Sequence, residues 1–362
     1  MKVLIVFNHP APYKVRLFNE LAKEIDLTVL FERNKAADRP DIFYNGPDYN
    51  FHVVFLKDGY VGKEGSVSRG VKNFIKKHYR EYDHIIMNGY SHYAEIMAIN
   101  YMQKKHIPYI LLINGGVIRK RELIFKKRLK SKLVSGASFY LSPSKKSNEY
   151  LEYYGADKCK IFNYPYTNLV DTDFINRATN KNNLRNCHDL PKDKIIFISA
   201  SQFIKRKNNL KLISLFKNRK EILLLVGDGP EKEAYFNYIK KHNMSNVIIT
   251  SFKPKQDLFE LYKASNVFIT LSLEDIFGHT TLEALANSIP VISSDKVVSS
   301  LEYIKDGING FIVPLNDDKK IIEAMEKAPL LDTTNINSTI KNNTFKNSAN
   351  TIIKILKRIK YE

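Results

Sequence analysis

The chain has 362 residues, 44% of them apolar, enough to build two domains with real cores. Its two cysteines, Cys159 and Cys187, lie far apart without metal-type spacing, which excludes a disulfide scaffold and fits free thiols in a reducing compartment. The formal net charge is +19, spread over both halves, which attracts phosphorylated ligands, anionic lipid or nucleic acid without choosing among them. No nucleic-acid motif accompanies the charge, so nucleic acid is not expected as a partner.

The apolar run Val3-Leu4-Ile5-Val6-Phe7 ends at Asn8-His9-Pro10. It is too short for an export signal and reads as a first buried strand. No stretch approaches the roughly 18 apolar residues that a membrane span needs. The pattern predicts further strands at 27–31, 52–56, 84–88, 108–113 and 138–141. Helices are predicted at 14–25, 67–79, 93–104, 119–134 and 144–154. This alternation is that of a parallel sheet. After a break around 165–190 it resumes, with strands near 195–199, 222–226, 246–250, 266–271, 290–293 and 311–313. The expectation is two Rossmann-like, doubly wound domains, with 1–168 as the first and 190–345 as the second.

Several segments sit where such domains bind ligands, at strand carboxyl ends. His9, Tyr13, Lys14 and Arg16 follow the first strand on a proline-stiffened segment. Asn114-Gly115-Gly116 follows the strand 108–113, where glycines let a ligand or backbone approach closely. The strand 195–199 runs into Gln202 and then Lys205-Arg206-Lys207-Asn208, basic side chains placed for a diphosphate or simply solvated. Gly227-Asp228-Gly229-Pro230 is a strand, a glycine turn and a helix with proline near its start. The richest stretch is Ser272 to Ala286, which places Asp275 and Glu283 eight positions apart around Phe277-Gly278-His279-Thr280-Thr281. There Thr280 or Thr281 can cap a helix whose first-turn N–H groups attract an anion. Glu283 can accept hydrogen bonds from a vicinal diol such as a ribose.

This last stretch resembles the signature of glycosyltransferase family 4, retaining enzymes of the GT-B fold. That signature is an acid, seven residues and a glutamate, usually with Phe-Gly after the first acid. Asp275 stands where the family most often has glutamate, as in some bacterial polysaccharide transferases. The resemblance covers most of the chain, most strongly 195–315. It implies a sugar transferred from a nucleotide diphosphate sugar, UDP-sugar favoured, to a lipid-linked or oligosaccharide acceptor in cell-surface polysaccharide synthesis.

The resemblance also distributes roles. Arg206, Lys207 and the helix start at Thr280 meet the leaving diphosphate. Glu283 holds the ribose, and Asp275 with backbone at Phe277, Gly278 and His279 orients the sugar. Gln202 sits where the family has an early arginine, and Arg206 supplies that charge. Gly227 supports the nucleotide, and Phe252 and Lys253 lie where relatives hold the base. His9, Tyr13, Lys14, Arg16, Asn114, Gly115 and Gly116 line the acceptor cleft. The segment 346–362 is a terminal helix that crosses back to the first domain.

No metal is expected if basic groups neutralise the diphosphate, and no metal-ligand cluster is visible. Asp171-Thr172-Asp173 reads as a turn in the linker. The segment 118–133 sets Phe125, Leu129 and Leu133 at i, i+4, i+8 among eight basic residues. A helix of that kind serves as a half-buried surface helix or lies on an anionic membrane, which makes the expected location the cytoplasmic face of the cell membrane. The residues 331–350 are weakly patterned and read as loop or as partly disordered. Alternatives are an inactive GT-B homologue and a basic nucleic-acid-binding protein. An epimerase or phosphorylase of the same fold requires other residues that are not found.

Overall fold

The computed structural model describes residues 1–35, 44, 46, 48–56, 60–62, 65–118, 122–174 and 181–361, with no side chains described at 60–62 and 65–67. Contacts divide the chain into two units, Met1–Asn168 with Asn343–Glu362, and Leu169–Asn342.

The first unit contains β1 (Lys2–Phe7), β2 (Asp26–Phe31), β3 (His52–Phe55), β4 (Tyr60–Gly62), β5 (Gly65–Val67), β6 (His84–Asn88), β7 (Ile110–Leu112), β8 (Phe139–Ser142) and β9 (Ile161–Asn163). β4 and β5 form a small antiparallel hairpin; the other seven make one sheet in the order β3-β2-β1-β6-β7-β8-β9. All its pairings are parallel. β1, β2 and β6 read as continuous apolar runs because helices cover both sheet faces. Leu4, Val6, Leu30, Ile85 and Met87 are almost fully buried in one core, each contributing about 1.5–3 kcal/mol of transfer free energy.

The second unit contains β10 (Ile196–Ala200), β11 (Ile222–Val226), β12 (Val247–Thr250), β13 (Val267–Thr270), β14 (Val291–Ser294) and β15 (Gly310–Val313). They form a parallel sheet in the order β12-β11-β10-β13-β14-β15. Strand order reverses between β1 and β6 in the first sheet and between β10 and β13 in the second. In doubly wound sheets such reversals mark the place, at the strand carboxyl ends, where ligands bind.

Three expectations need correction. β4, β5 and β9 were not foreseen. The break at 165–190 contains a helix, Lys181–Cys187, although its sequence is polar. Arg185 anchors that helix: it is buried, and its guanidinium donates to the carbonyls of Ala264, Lys192 and Lys194 and to Asn266 Oδ1 at 2.7–3.0 Å. The stretch 331–350 is not simply loop. It holds the 3-10 turn Asn337–Ile340 and the start of the helix Phe345–Arg358, whose amino end is capped by Thr344 Oγ1 accepting from Asn347 N. That helix packs on the helix Pro12–Leu21 of its own unit, burying Ile352, Ile353 and Leu356.

The predicted basic helix also differs. It spans Ile124–Ser135; Arg119, Lys120 and Arg121 lie outside the described residues. Its apolar positions do not share one fate. Leu133 is buried, whereas Phe125 is 82% exposed and Leu129 45%.

Candidate functional site

In the second unit, the loop after β10 and the loop after β13 lie side by side and are stitched together. Leu273 N donates to the Arg206 carbonyl at 2.9 Å, and Arg206 Nη1 donates to the Glu274 carbonyl at 2.7 Å. Asn208 adopts left-handed backbone and its amide donates to the Leu271 carbonyl at 3.1 Å. These bonds aim the two cations at one carboxylate. Lys207 Nζ donates to Asp275 Oδ2, and Arg206 Nη1 stands 3.8 Å from Asp275 Oδ1. Lys207 and Asp275 are both largely shielded from water, with side chains 13% and 15% exposed.

A second set of bonds holds the acid from behind. Asp275 N donates to the Lys296 carbonyl at 3.0 Å, Val298 N to the Asp275 carbonyl at 3.2 Å, and Ser299 N to the Phe277 carbonyl at 2.8 Å. Ser299 Oγ donates to the Gly278 carbonyl at 2.7 Å. Gly278 has φ +88°, and a Cβ there would stand 2.7 Å from Val297 Cγ1. The turn therefore requires glycine.

Gly278 is also the N-cap of the helix His279–Ala286. This corrects the expected cap: Thr280 lies inside the helix, and Thr281 is buried with its hydroxyl 2.9 Å from Ser300 Oγ. With no side-chain cap at the helix start, the first turn keeps its attraction for an anion. His279 sits in this turn, its ring 5.0 Å from that of Phe277. Glu283, one turn on, is 8% exposed, and Tyr262 Oη donates to its Oε2 at 3.2 Å.

The glycine turn backs the basic loop. Ser201 N donates to the Val226 carbonyl at 3.0 Å and Phe203 N to the Asp228 carbonyl at 2.7 Å. Gly227 has φ +150°, and a Cβ would fall 1.9 Å from the Ser201 carbonyl oxygen. Gly227 N also donates to Thr250 O at 3.0 Å, which ties this turn to the end of β12. Gln202 is exposed, Phe252 is 62% exposed and Lys253 is partly buried.

The first-unit candidates form their own group. Tyr13, Lys14 and Arg16 belong to the helix Pro12–Leu21, which starts two residues before the expected position 14. Arg16 is exposed, but Lys14 is 1% exposed and turned inward. Its Nζ donates to Asn114 Oδ1 at 2.6 Å and lies 4.5 Å from the centre of the Tyr166 ring. Burial pushes the Lys14 ammonium down to about 7. His9 Nδ1 is 3.2 Å from Tyr44 Oη. Gly115 has φ +137°. The group that approaches Gly116 is the Tyr150 ring, which a Cβ would meet at 2.4 Å, so that glycine answers to packing.

Sequence reasoning missed Tyr262 and Ser299, because their partners are set by the fold. It also missed a cluster of Glu32, His92 and Glu95, for which the spacing His-x-x-Glu at a helix start is the one visible signal. Asp171–Asp173 forms a 3-10 turn, and Asp173 pairs with Lys255 at 2.5 Å.

The fold defined by two such parallel-sheet units is GT-B. A crystal structure of Anabaena Alr3699/HepE in complex with UDP superposes with a TM-score of 0.78 over 99% of this chain and all of that one, at 15% identity. Residues 180–347, a little under half of the chain, match the family model "Glycosyl transferases group 1". Among curated proteins, an uncharacterised glycosyltransferase of Methanocaldococcus jannaschii, MJ1059, is 29% identical over 39% of this chain and 36% of its own length. The capsular polysaccharide biosynthesis glycosyltransferase CapM of Staphylococcus aureus is 29% identical over 43% of this chain and 42% of its own. The chain thus spans about two fifths of the length of these relatives.

Proposed function

We propose that this protein is a retaining glycosyltransferase of family 4. It transfers a sugar from a nucleotide diphosphate sugar, UDP-sugar favoured, to a lipid-linked or oligosaccharide acceptor in cell-surface polysaccharide synthesis. The observation that carries this reading is the convergence of Arg206, Lys207, Asp275 and the Gly278-capped helix at the carboxyl ends of β10 and β13. Cations and a helix start there stabilise the negative charge that grows on a departing diphosphate. Glu283, one turn along, offers a carboxylate held by Tyr262 to the ribose hydroxyls. Asp275 does two jobs: it orients the donor sugar and holds Lys207 and Arg206 at their station. The UDP bound to the HepE neighbour and the capsule role in the CapM name favour the donor class and the pathway.

In this reading 1–168 binds acceptor and 190–345 binds donor, with 346–362 returning to the first domain. The exposed Leu123, Ile124, Phe125 and Leu129 beside Lys126, Lys127 and Arg128 suit an anionic bilayer surface and place the protein peripherally at the cytoplasmic face. No helix among the described residues is long and apolar enough to cross a membrane.

The test is a transfer assay with UDP-sugars and a lipid-linked acceptor, with the anomeric configuration of the product read by NMR. Transfer with the donor's configuration kept supports the reading. Inversion, or no release of UDP from any UDP-sugar, counts against it.

A further inference from the structure

Glu32 follows β2, and its backbone N–H donates to the Phe7 carbonyl at the end of β1. His92 and Glu95 follow β6, on the other side of β1. Their side chains meet at the strand-order reversal of the first sheet. His92 Nδ1 stands 3.6 Å from Glu32 Oε2 and 3.9 Å from Glu95 Oε1. One donor atom from each residue lies within 4.8 Å of the others. Donors about 2.0–2.2 Å from a shared ion stand about 3–3.6 Å apart, so small rotations suffice.

His92 is the cluster's own potential cation, but its Nδ1 makes no hydrogen bond to either carboxylate. The Glu32 side chain is 1% exposed, and neither of its carboxylate oxygens has a hydrogen-bond partner. Glu95 spends Oε2 on the backbone N–H groups of Ser91 and His92, leaving Oε1 toward His92. Among the described residues, neither carboxylate forms an ion pair with a lysine or arginine. Burying an unpaired carboxylate costs several kcal/mol, and two together repel.

We infer that Glu32, His92 and Glu95 form a binding site for a divalent transition-metal cation of the zinc or manganese kind. One imidazole and two carboxylates are a donor set for such ions, and three protein donors leave room for water or a ligand oxygen. The inference does not depend on glycosyl transfer.

Tag-free protein, stripped with chelator and dialysed, is titrated calorimetrically with zinc and with manganese. The result expected is a single equivalent bound, with a rise in melting temperature. Glu32→Gln and His92→Gln should each weaken binding about tenfold or more. His52→Gln, at an 81% exposed histidine, should leave it unchanged. No binding, or equal binding by wild type and both site variants, overturns the inference. So does a Glu32→Gln protein that melts higher than wild type while neither titrates, because a proton then relieves the pair. Should either variant fail to fold, cobalt(II) absorbance on the unaltered protein reads the same site. A nitrogen-oxygen ligand-field band supports the site, and the spectrum of the free aquo ion overturns it.

Discussion

Lys207 donates its ammonium hydrogen to Asp275 across a sequence separation of 68 residues, joining the loop after β10 to the loop after β13. In the proposed function this pair lets one acid serve both sugar and phosphate. It also separates two consequences of substitution. Asp275→Asn frees Lys207 and Arg206, so UDP binding should hold or tighten while transfer falls by about 10²–10³-fold. Lys207→Ala should weaken UDP binding and transfer together. Calorimetry with UDP beside a turnover assay distinguishes them; equal losses of UDP affinity in both variants contradict this division of labour.

The Tyr262–Glu283 bond predicts a subtler effect. Tyr262→Phe removes a 3.2 Å donor from a buried carboxylate, a change worth about 1–3 kcal/mol. UDP affinity should fall several-fold. Glu283→Gln should erase any preference for UDP over 2′,3′-dideoxy-UDP. Discrimination retained by that variant argues against a ribose role for Glu283.

Gly278→Ala should cost about 1–3 kcal/mol from backbone strain alone, because φ is +88° and the new Cβ meets Val297. Denaturant midpoints measure the stability loss. Since the same turn starts the anion-facing helix, UDP affinity should drop as well.

Lys14 makes the stability of the protein depend on pH with a definite sign. Burial lowers its folded value to about 7, against about 10.4 for an unfolded chain. Between those values the unfolded chain binds a proton that the folded chain does not, so this group makes stability rise with pH across the window. Below about 7 the folded chain carries the full cost of burying the charge. Lys14→Met should therefore gain less stability than wild type between about pH 7 and pH 9.5, as urea midpoints at the two values would show. Equal gains contradict a buried, depressed lysine.

The exposed Phe125 and Leu129 predict association with anionic vesicles. Binding should weaken with salt, since surface attraction is screened within about 10 Å at 0.1 M. Phe125→Asp should weaken it further without lowering the melting temperature. Cosedimentation with and without phosphatidylserine makes the check; indifference to the anionic lipid contradicts the membrane role.

The two sheets were legible because their central strands are continuous apolar runs, as in Val3–Phe7 and Val267–Leu271. β9 was not, having three residues at a sheet edge, and neither was Lys181–Cys187, whose helix rests on the buried bonds of one arginine. In the site, the order of the basic loop, the glycine turn and the two acids could be read directly. Which acid meets which cation could not, since Lys207 and Asp275 are joined only by tertiary structure. The helix cap was misread because a threonine is the usual cap, while here a left-handed glycine turns the chain. Glu32, His92 and Glu95 gave almost no signal, because the ends of two different strands bring them together.

The central claim is that the loops after β10 and β13 bind a nucleoside diphosphate. Calorimetric titration with UDP, GDP, ADP and CDP, on wild type and on Lys207→Ala and Glu283→Ala, tests it most directly. The account predicts that one nucleotide, UDP, binds wild type and that both variants lose it. Binding of none of the four, or binding of UDP by both variants as tightly as by wild type, contradicts it.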